Sequence, residues 1–268
     1  MPEQVPENDG GGALPPDLLR ALKRVAAAER LLVAMDFDGT MAPLVDRSED
    51  ARALPRSAKA FAQLTALPAT TTALISGRAL DTLRLLASPG EKTLLIGSHG
   101  AETWTGSDRM PLELNASARE LLAEATAVVE RIVEAHPGTH IETKPAGVVL
   151  HTRTAEPDVA AAAVEAALRE LNELDGLSVT EGKQVVESSV VNSDKGQGIE
   201  TLRSLTGATA VLFAGDDVTD EHALAVLGRE DVGVKIGPGE SRAGYRIDGP
   251  EQVQDLLETL LRLRAAAS

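Results

Sequence analysis

Hydrophobic and polar positions alternate along the chain in two textures. Apolar residues recur at helical spacing at Leu18, Leu19, Leu22 and Val25, which predicts a helix over 16–30. An unbroken apolar run from Leu31 to Met35 then predicts a buried strand. The pair repeats, with a helix from Arg56 to Leu67, a strand at "TTALIS", a helix through "ALDTLRLLA", a strand at "TLLIG" and a turn at "SHGAE". It resumes further on with a helix from Gly196 to Leu205, the strand "AVLFAG" and a helix from Thr219 to Leu227. The strand "VGVKI", a short strand "YRI" and a helix from Glu251 to about Arg264 complete the series. Strands that are apolar throughout and alternate with helices predict an α/β core, its parallel sheet covered on both faces.

Between these halves the texture changes. Two Ala/Glu-rich helices, 115–135 and 157–174, each lead into a pair of short strands, "HIETKPAGVVLHTR" and "LSVTEGKQVVESS". Turns are expected at Pro145-Ala146-Gly147 and Glu181-Gly182-Lys183. A helix-hairpin unit used twice predicts a compact α+β domain inserted between two core strands. The expected organisation is a polar, Gly/Pro-rich tail over 1–14, a core made of 15–106 and 190–268, and an insert over 107–189.

Composition narrows the partners. A formal charge of −15 disfavours nucleic acid and anionic membranes, which need surplus Lys and Arg. Without cysteine there is no disulfide, thiolate metal site or cysteine nucleophile. No apolar run approaches the roughly 18 residues of a membrane span. The N-terminal segment lacks the basic start and apolar stretch of a secretory signal, so a cytoplasmic location is expected.

Ligands of an open parallel sheet bind beyond the carboxyl ends of its strands, and chemically loaded residues fall there repeatedly. Asp36 and Asp38 follow the first strand, Ser76 and Arg78 the second, and Ser98 and His99 the third. "GDDVTDE", with Asp216, Asp217 and Asp220, follows "AVLFAG". Acids at two neighbouring strand ends form an all-oxygen site that suits Mg2+. With Ser76, Arg78 and Lys195 converging on it, the set reads as a site for phosphoryl transfer.

Four stretches in order, "DFDGT", "ISGR", "SDKG" and "GDDVTDE", resemble the motifs of the haloacid dehalogenase-like phosphatases. "GSHGAE", the lysine ahead of "HTR", and "EGKQVVE" narrow the resemblance to the trehalose-6-phosphate phosphatase family, over about Leu31 to Ile236. "HTR" departs from that family's usual His-Tyr-Arg, and Asp194 stands directly before the motif lysine. The resemblance implies a Rossmann-like core with an inserted cap domain, and hydrolysis of a small-molecule sugar phosphate through an aspartyl-phosphate. Another sugar phosphate, such as sucrose 6-phosphate, stays open, as do a phosphomutase and a sugar-phosphate sensor.

The family pattern also assigns roles. Asp36 is implied as nucleophile and metal ligand, and Asp38 as acid/base with its carbonyl on the metal. Asp216 completes the metal shell, with Asp217 beside it and Asp220 behind. Ser76 and Lys195 hold the phosphate, helped by the backbone around Gly39, Thr40 and Gly77. Lys144, His151, Arg153, Glu181, Lys183 and Glu187 match polar cap positions that would meet sugar hydroxyls, with Glu102 and His99 as further contacts. Arg78 is open between a substrate contact and a structural ion pair. His136 and His140 are spaced i, i+4, but Pro137-Gly138 interrupts any helix that would pair them, so both are expected at the surface. A monomer or weak homodimer is expected.

Overall fold

A computed structural model describes residues 14–110, 112, 114–191 and 194–267, the side chain of His99 excepted. The expected tail falls outside these residues save for Leu14, which is buried among core side chains.

The chain divides into two compact units, residues 1–109 with 194–268 and residues 110–193. The second unit thus starts and ends a few residues later than the 107–189 expected from sequence. In the first unit the strands are β1 (Leu31–Asp36), β2 (Thr70–Ile75), β3 (Leu94–Gly97) and β4 (Glu102–Trp104), with β5 (Arg109–Met110) at its boundary. After the second unit come β10 (Ala210–Gly215), β11 (Val232–Ile236) and β12 (Tyr245–Ile247), the numbers between belonging to that unit. They form one sheet in the order β12-β11-β10-β1-β2-β3-β4-β5. Pairing is parallel from β12 through to β3, and β4 adds antiparallel to β3. The expected "SHGAE" turn therefore runs into two short strands that the apolar pattern did not announce.

Alternation within β1 explains the layers. Leu31, Val33 and Met35 point into one apolar cluster, with Leu18 and Leu22 of α1 (Pro16–Ala26), Leu64 of α2 (Pro55–Thr65) and Leu256 of α8 (Pro250–Ala267). Leu32 and Ala34 point into the other, with Ile199 and Leu202 of α6 (Lys195–Thr206) and Ala223 of α7 (Asp220–Ala225). Both faces are dry, as continuous apolar strands require. Helices α1, α2 and α8 begin on proline, whose fixed φ and missing N–H cost nothing in a first turn. Helix α1 stops at Ala26, short of the expected Arg30. Helix α3 (Leu80–Ala87) lies between β2 and β3.

Chain order fixes where a ligand can sit. From β1 the sheet grows through β2 and β3 to one side and, after the second unit, through β10 to β12 on the other. The crevice between the carboxyl ends of β1 and β10 is the switch point of such a sheet.

The second unit packs α4 (Ala116–Ala135) and α5 (Pro157–Leu171) on a four-stranded antiparallel sheet ordered β6-β7-β9-β8. Its strands are β6 (His140–Lys144), β7 (Gly147–His151), β8 (Ser178–Gly182) and β9 (Val185–Ser189). Val148, Leu150 and Val186 join Val129 of α4 and Ala167 of α5 in its own core. The second hairpin turns at Lys183-Gln184, with Gln184 at φ +63°, rather than at 181–183. No helix among the described residues is long and apolar enough to cross a membrane.

Candidate active site

β1 ends on Asp36, buried at 3% exposure, and the chain folds back within six residues as Ala42 N donates to Phe37 O at 2.8 Å. Gly39 makes this turn at φ +80°. A β-carbon there would stand 2.1 Å from Asp216 Oδ2, so only glycine leaves room for the Asp216 carboxylate in this place. The Gly39 amide donates to Ala42 O at 2.7 Å, so its use is to hold the turn and leave room for Asp216. Thr40 is buried, its hydroxyl 3.5 Å from Asp216 Oδ1.

The β10 loop is organised around Asp220. Its Oδ2 accepts the amides of Asp216 at 2.9 Å and Asp217 at 3.0 Å, bending the loop back onto α7. Its Oδ1 accepts from Lys195 Nζ at 2.7 Å, and the same ammonium donates to Asp36 Oδ1 at 2.7 Å. Lys195 opens α6, where Asp194 caps the first turn by accepting from Gln197 N at 2.9 Å. The aspartate before the motif lysine is therefore spent on the helix. Asp217 turns its Oδ1 to Thr219 N, Thr219 Oγ1 and Asp220 N, at the start of α7.

The electrostatics follow from burial and crowding. Burial pushes Asp36 well above the usual carboxylate range; Lys195 opposes this, while Asp220 and Asp216 add to it. Burial, then repulsion from Asp220 and Asp217, lifts Asp216 to about 6. Burial raises Asp220 as well. Burial would also lift Asp217, but the Lys195 charge and the bonds from Thr219 and the Asp220 amide hold it low. Burial draws Lys195 down, and Asp36 and Asp220 more than reverse this, so it stays an ammonium.

Carboxylate oxygens of Asp36, Asp216 and Asp220 lie within 4.8 Å of one another. Three acids around one ammonium leave an excess of negative charge, and every donor is oxygen, so the residues fit a hard divalent cation. Asp220 already serves Lys195 and two amides, which leaves Asp36 and Asp216 as its natural ligands. Asp217, expected beside them, turns its Oδ1 to the helix start.

The remaining expected residues divide by unit. In the first, Ser76 is buried and its Oγ accepts from Arg78 N at 3.1 Å across Gly77. Arg78 pairs with Asp38 at 2.6 Å. Glu102 is 4% exposed and committed to the fold: its Oε2 accepts from Ser98 Oγ at 2.7 Å and from Leu80 N at 3.2 Å, at the start of α3. The expected contact through His99 lies outside the described side chains. Lys235 was missed. It stands buried in β11, with Nζ 2.5 Å from the Asp216 carbonyl and 3.8 Å from Glu221 Oε1. A lysine inside the apolar run "VGVKI" was its signal.

In the second unit, Lys144 and Glu187 form an ion pair at 2.6 Å, and His151 Nε2 lies 2.8 Å from Glu142 Oε2. His151 stacks on His140, with ring centroids 4.8 Å apart. By register all five share the sheet face turned away from α4 and α5. Glu142, unassigned from sequence, belongs to this row. Glu181 pairs opposite Val186, a core residue, and so sits on the helix side at the sheet edge. Arg153 follows β7, with Nε 3.2 Å from Gln184 Oε1, and Lys183 lies in the hairpin turn.

Known proteins resemble this chain in sequence and in fold. A family model described as trehalose-phosphatase matches residues 34–249. A trehalose-phosphate phosphatase of Mycobacterium avium is 34% identical over 265 residues, covering 91% of this chain and 66% of that protein. A bifunctional trehalose-6-phosphate synthase/phosphatase of Thermoproteus tenax is 30% identical over 243 residues, covering 88% of this chain and 32% of that protein. The chain thus spans at most about two thirds of these curated relatives. Among solved structures, the C-terminal domain of a Candida albicans trehalose-6-phosphate phosphatase superposes with a TM-score of 0.73 at 22% identity, covering 93% of this chain and 98% of that one. The C-terminal domain of a Candida albicans trehalose synthase regulatory protein superposes at 0.69 with 14% identity, covering 92% and 100%. At such identities the superpositions speak for a shared fold alone.

Proposed function

The chain belongs to the trehalose-phosphatase family, and on that footing we propose that it hydrolyses trehalose 6-phosphate to trehalose and phosphate. The observation that carries the reading is one buried ammonium, Lys195, bonded to both Asp36 and Asp220 at 2.7 Å where β1 and β10 end. A regulatory chain of the same fold has no need to keep a nucleophile, its lysine and the holding acid together.

In this reading Asp36 attacks phosphorus through its free carboxylate oxygen, forming an aspartyl-phosphate as the bond to the sugar oxygen breaks. Asp38 gives a proton to the departing oxygen and later takes one from the water that hydrolyses the intermediate. Lys195 and the Ser76 hydroxyl hold the phosphate oxygens. Asp36 and Asp216 would hold a divalent cation, and the all-oxygen donor set is compatible with magnesium. When bound, that ion offsets negative charge on the phosphate. Asp220 and Lys235 keep Lys195 and the Asp216 backbone in place. Residues 110–193 recognise the sugar through the row containing Lys144, His151 and Glu187. A cytoplasmic setting fits a chain without cysteine.

Phosphate release over a panel of sugar phosphates, with magnesium or with chelator, tests this. Release from trehalose 6-phosphate should need magnesium and far exceed release from glucose 6-phosphate or sucrose 6-phosphate. Equal rates across the panel would replace the reading with a generalist sugar phosphatase. Appearance of an isomeric sugar phosphate in place of free phosphate would make the protein a mutase.

A further inference from the structure

Both oxygens of the Asp38 carboxylate are taken by one side chain. Arg78 donates from Nε to Oδ2 at 2.6 Å and from Nη2 to Oδ1 at 2.7 Å. Among the described residues no other side chain bonds to that carboxylate. The arginine is itself held firmly. Its amide donates to Ser76 Oγ at 3.1 Å, and its carbonyl accepts from Ser98 N at 2.8 Å. Its guanidinium carbon lies 5.9 Å from the centre of the Phe37 ring, and its side chain is 15% exposed. A guanidinium anchored at the tips of β2 and β3 thus sets the direction of a carboxyl that follows β1.

We propose that Arg78 is the positioning residue for Asp38 and is not a ligand of the substrate phosphate. The inference rests on Asp38 being the acid of the reaction proposed above. In that step a bond forms from Asp36 to phosphorus and the bond from phosphorus to the sugar oxygen breaks. The electron pair stays on the sugar oxygen, and the Asp38 proton closes it as a hydroxyl. The direction of the carboxyl decides whether that proton arrives. A two-armed donor is suited to aiming it, because one arm can keep one oxygen while the other oxygen is turned to the sugar. Lysine, a single point charge on a flexible stem, would hold the carboxyl without aiming it.

The leaving group separates positioning from binding. A sugar alkoxide needs a proton to depart; 4-nitrophenolate leaves without one. The quantity to compare is kcat/KM, which ends at formation of the aspartyl-phosphate and is untouched by its later hydrolysis. For Arg78→Gln we expect kcat/KM on trehalose 6-phosphate to fall about 100-fold, within the range that general acid catalysis supplies. On 4-nitrophenyl phosphate the loss should stay within about 3-fold. Arg78→Lys should fall between, with the same bias against the sugar substrate.

Equal losses on both esters would overturn the proposal and make Arg78 a phosphate contact, and no loss on either would make it idle. Thermal melting checks that each variant folds, and Arg78→Lys decides the question by the same ratio if Arg78→Gln does not. Failure of the parent reading shows separately, as wild-type protein that cleaves the aryl ester and leaves trehalose 6-phosphate intact.

Discussion

The ammonium of Lys195 sits 2.7 Å from Asp36 Oδ1, and both groups are almost fully buried. Removing one partner of such a pair strands the other charge away from water. Lys195→Met should cost about 3–5 kcal/mol of unfolding free energy in chelator. The loss should lie toward the lower figure, because a stranded Asp36 can take up a proton. Denaturant unfolding of the two proteins measures it, and activity should vanish with the lysine. A variant as stable as the parent would mean that the pair is not formed in solution.

Gly39 faces a second limit. With a β-carbon 2.1 Å from the Asp216 carboxylate and a left-handed backbone, Gly39→Ala has to push that carboxylate aside. Backbone strain of this kind costs on the order of 1–3 kcal/mol. We expect a protein that folds but binds magnesium at least about tenfold more weakly, read by calorimetric titration; a tenfold change is about 1.4 kcal/mol. Unchanged magnesium affinity would show that the ion does not use the Asp216 carboxylate in this place.

The acid cluster predicts a pH dependence whose sign can be worked out. Asp216 is raised to about 6 in the folded chain, with Asp36 and Asp220 also raised. Folded protein therefore holds protons that unfolded chain gives up near the ordinary carboxylate value of 3.8. The stability tied to those protons is fully present below that value and is lost as pH rises through about 6. Magnesium bound as proposed would replace the protons, so the melting temperature with magnesium minus that with chelator should widen across this window and then level off. Asp216→Asn should flatten the difference. A gap independent of pH would place the ion elsewhere.

On the second unit, the register separates two glutamates that the sequence treated alike. Glu187 shares its sheet face with Lys144 and His151, whereas Glu181 shares the face of Val186. Lys144→Met and Glu187→Gln should each raise KM for trehalose 6-phosphate by roughly tenfold or more, the worth of a hydrogen bond to a charged group. Glu181→Ala should change it little, and none of the three should affect 4-nitrophenyl phosphate. A larger effect from Glu181 than from Glu187 would reverse this assignment.

The core was legible because its strands are long and apolar on both faces. β1 and β10 declared themselves, and with them the acids at their ends. What escaped was set by parity and by length. The second hairpin was expected to turn over Glu181-Gly182-Lys183; turning at Lys183-Gln184 keeps Glu181 within β8 and fixes its face. A shift of one residue in a strand decides which side every side chain takes. β4 and β5, three and two residues long, carry no apolar run at all. Glu102 was expected as a further sugar contact, and nothing local shows that Leu80 N and Ser98 Oγ will bond to its Oε2. The bond between Arg78 and Asp38 joins residues 40 apart, a relation invisible to any local pattern.

The middle strand of the large sheet is also the first to be synthesised. Its neighbour β2 follows soon after, but β10 arrives only after the whole second unit has been made, and Lys195 is 159 residues beyond Asp36. During translation the growing chain therefore carries an unpaired central edge and an acid without its counter-charge. A chain that stops between β2 and residue 195 would lack Lys195 and keep that edge open to self-association. In such a copy the strand that carries Asp36 is the one left open.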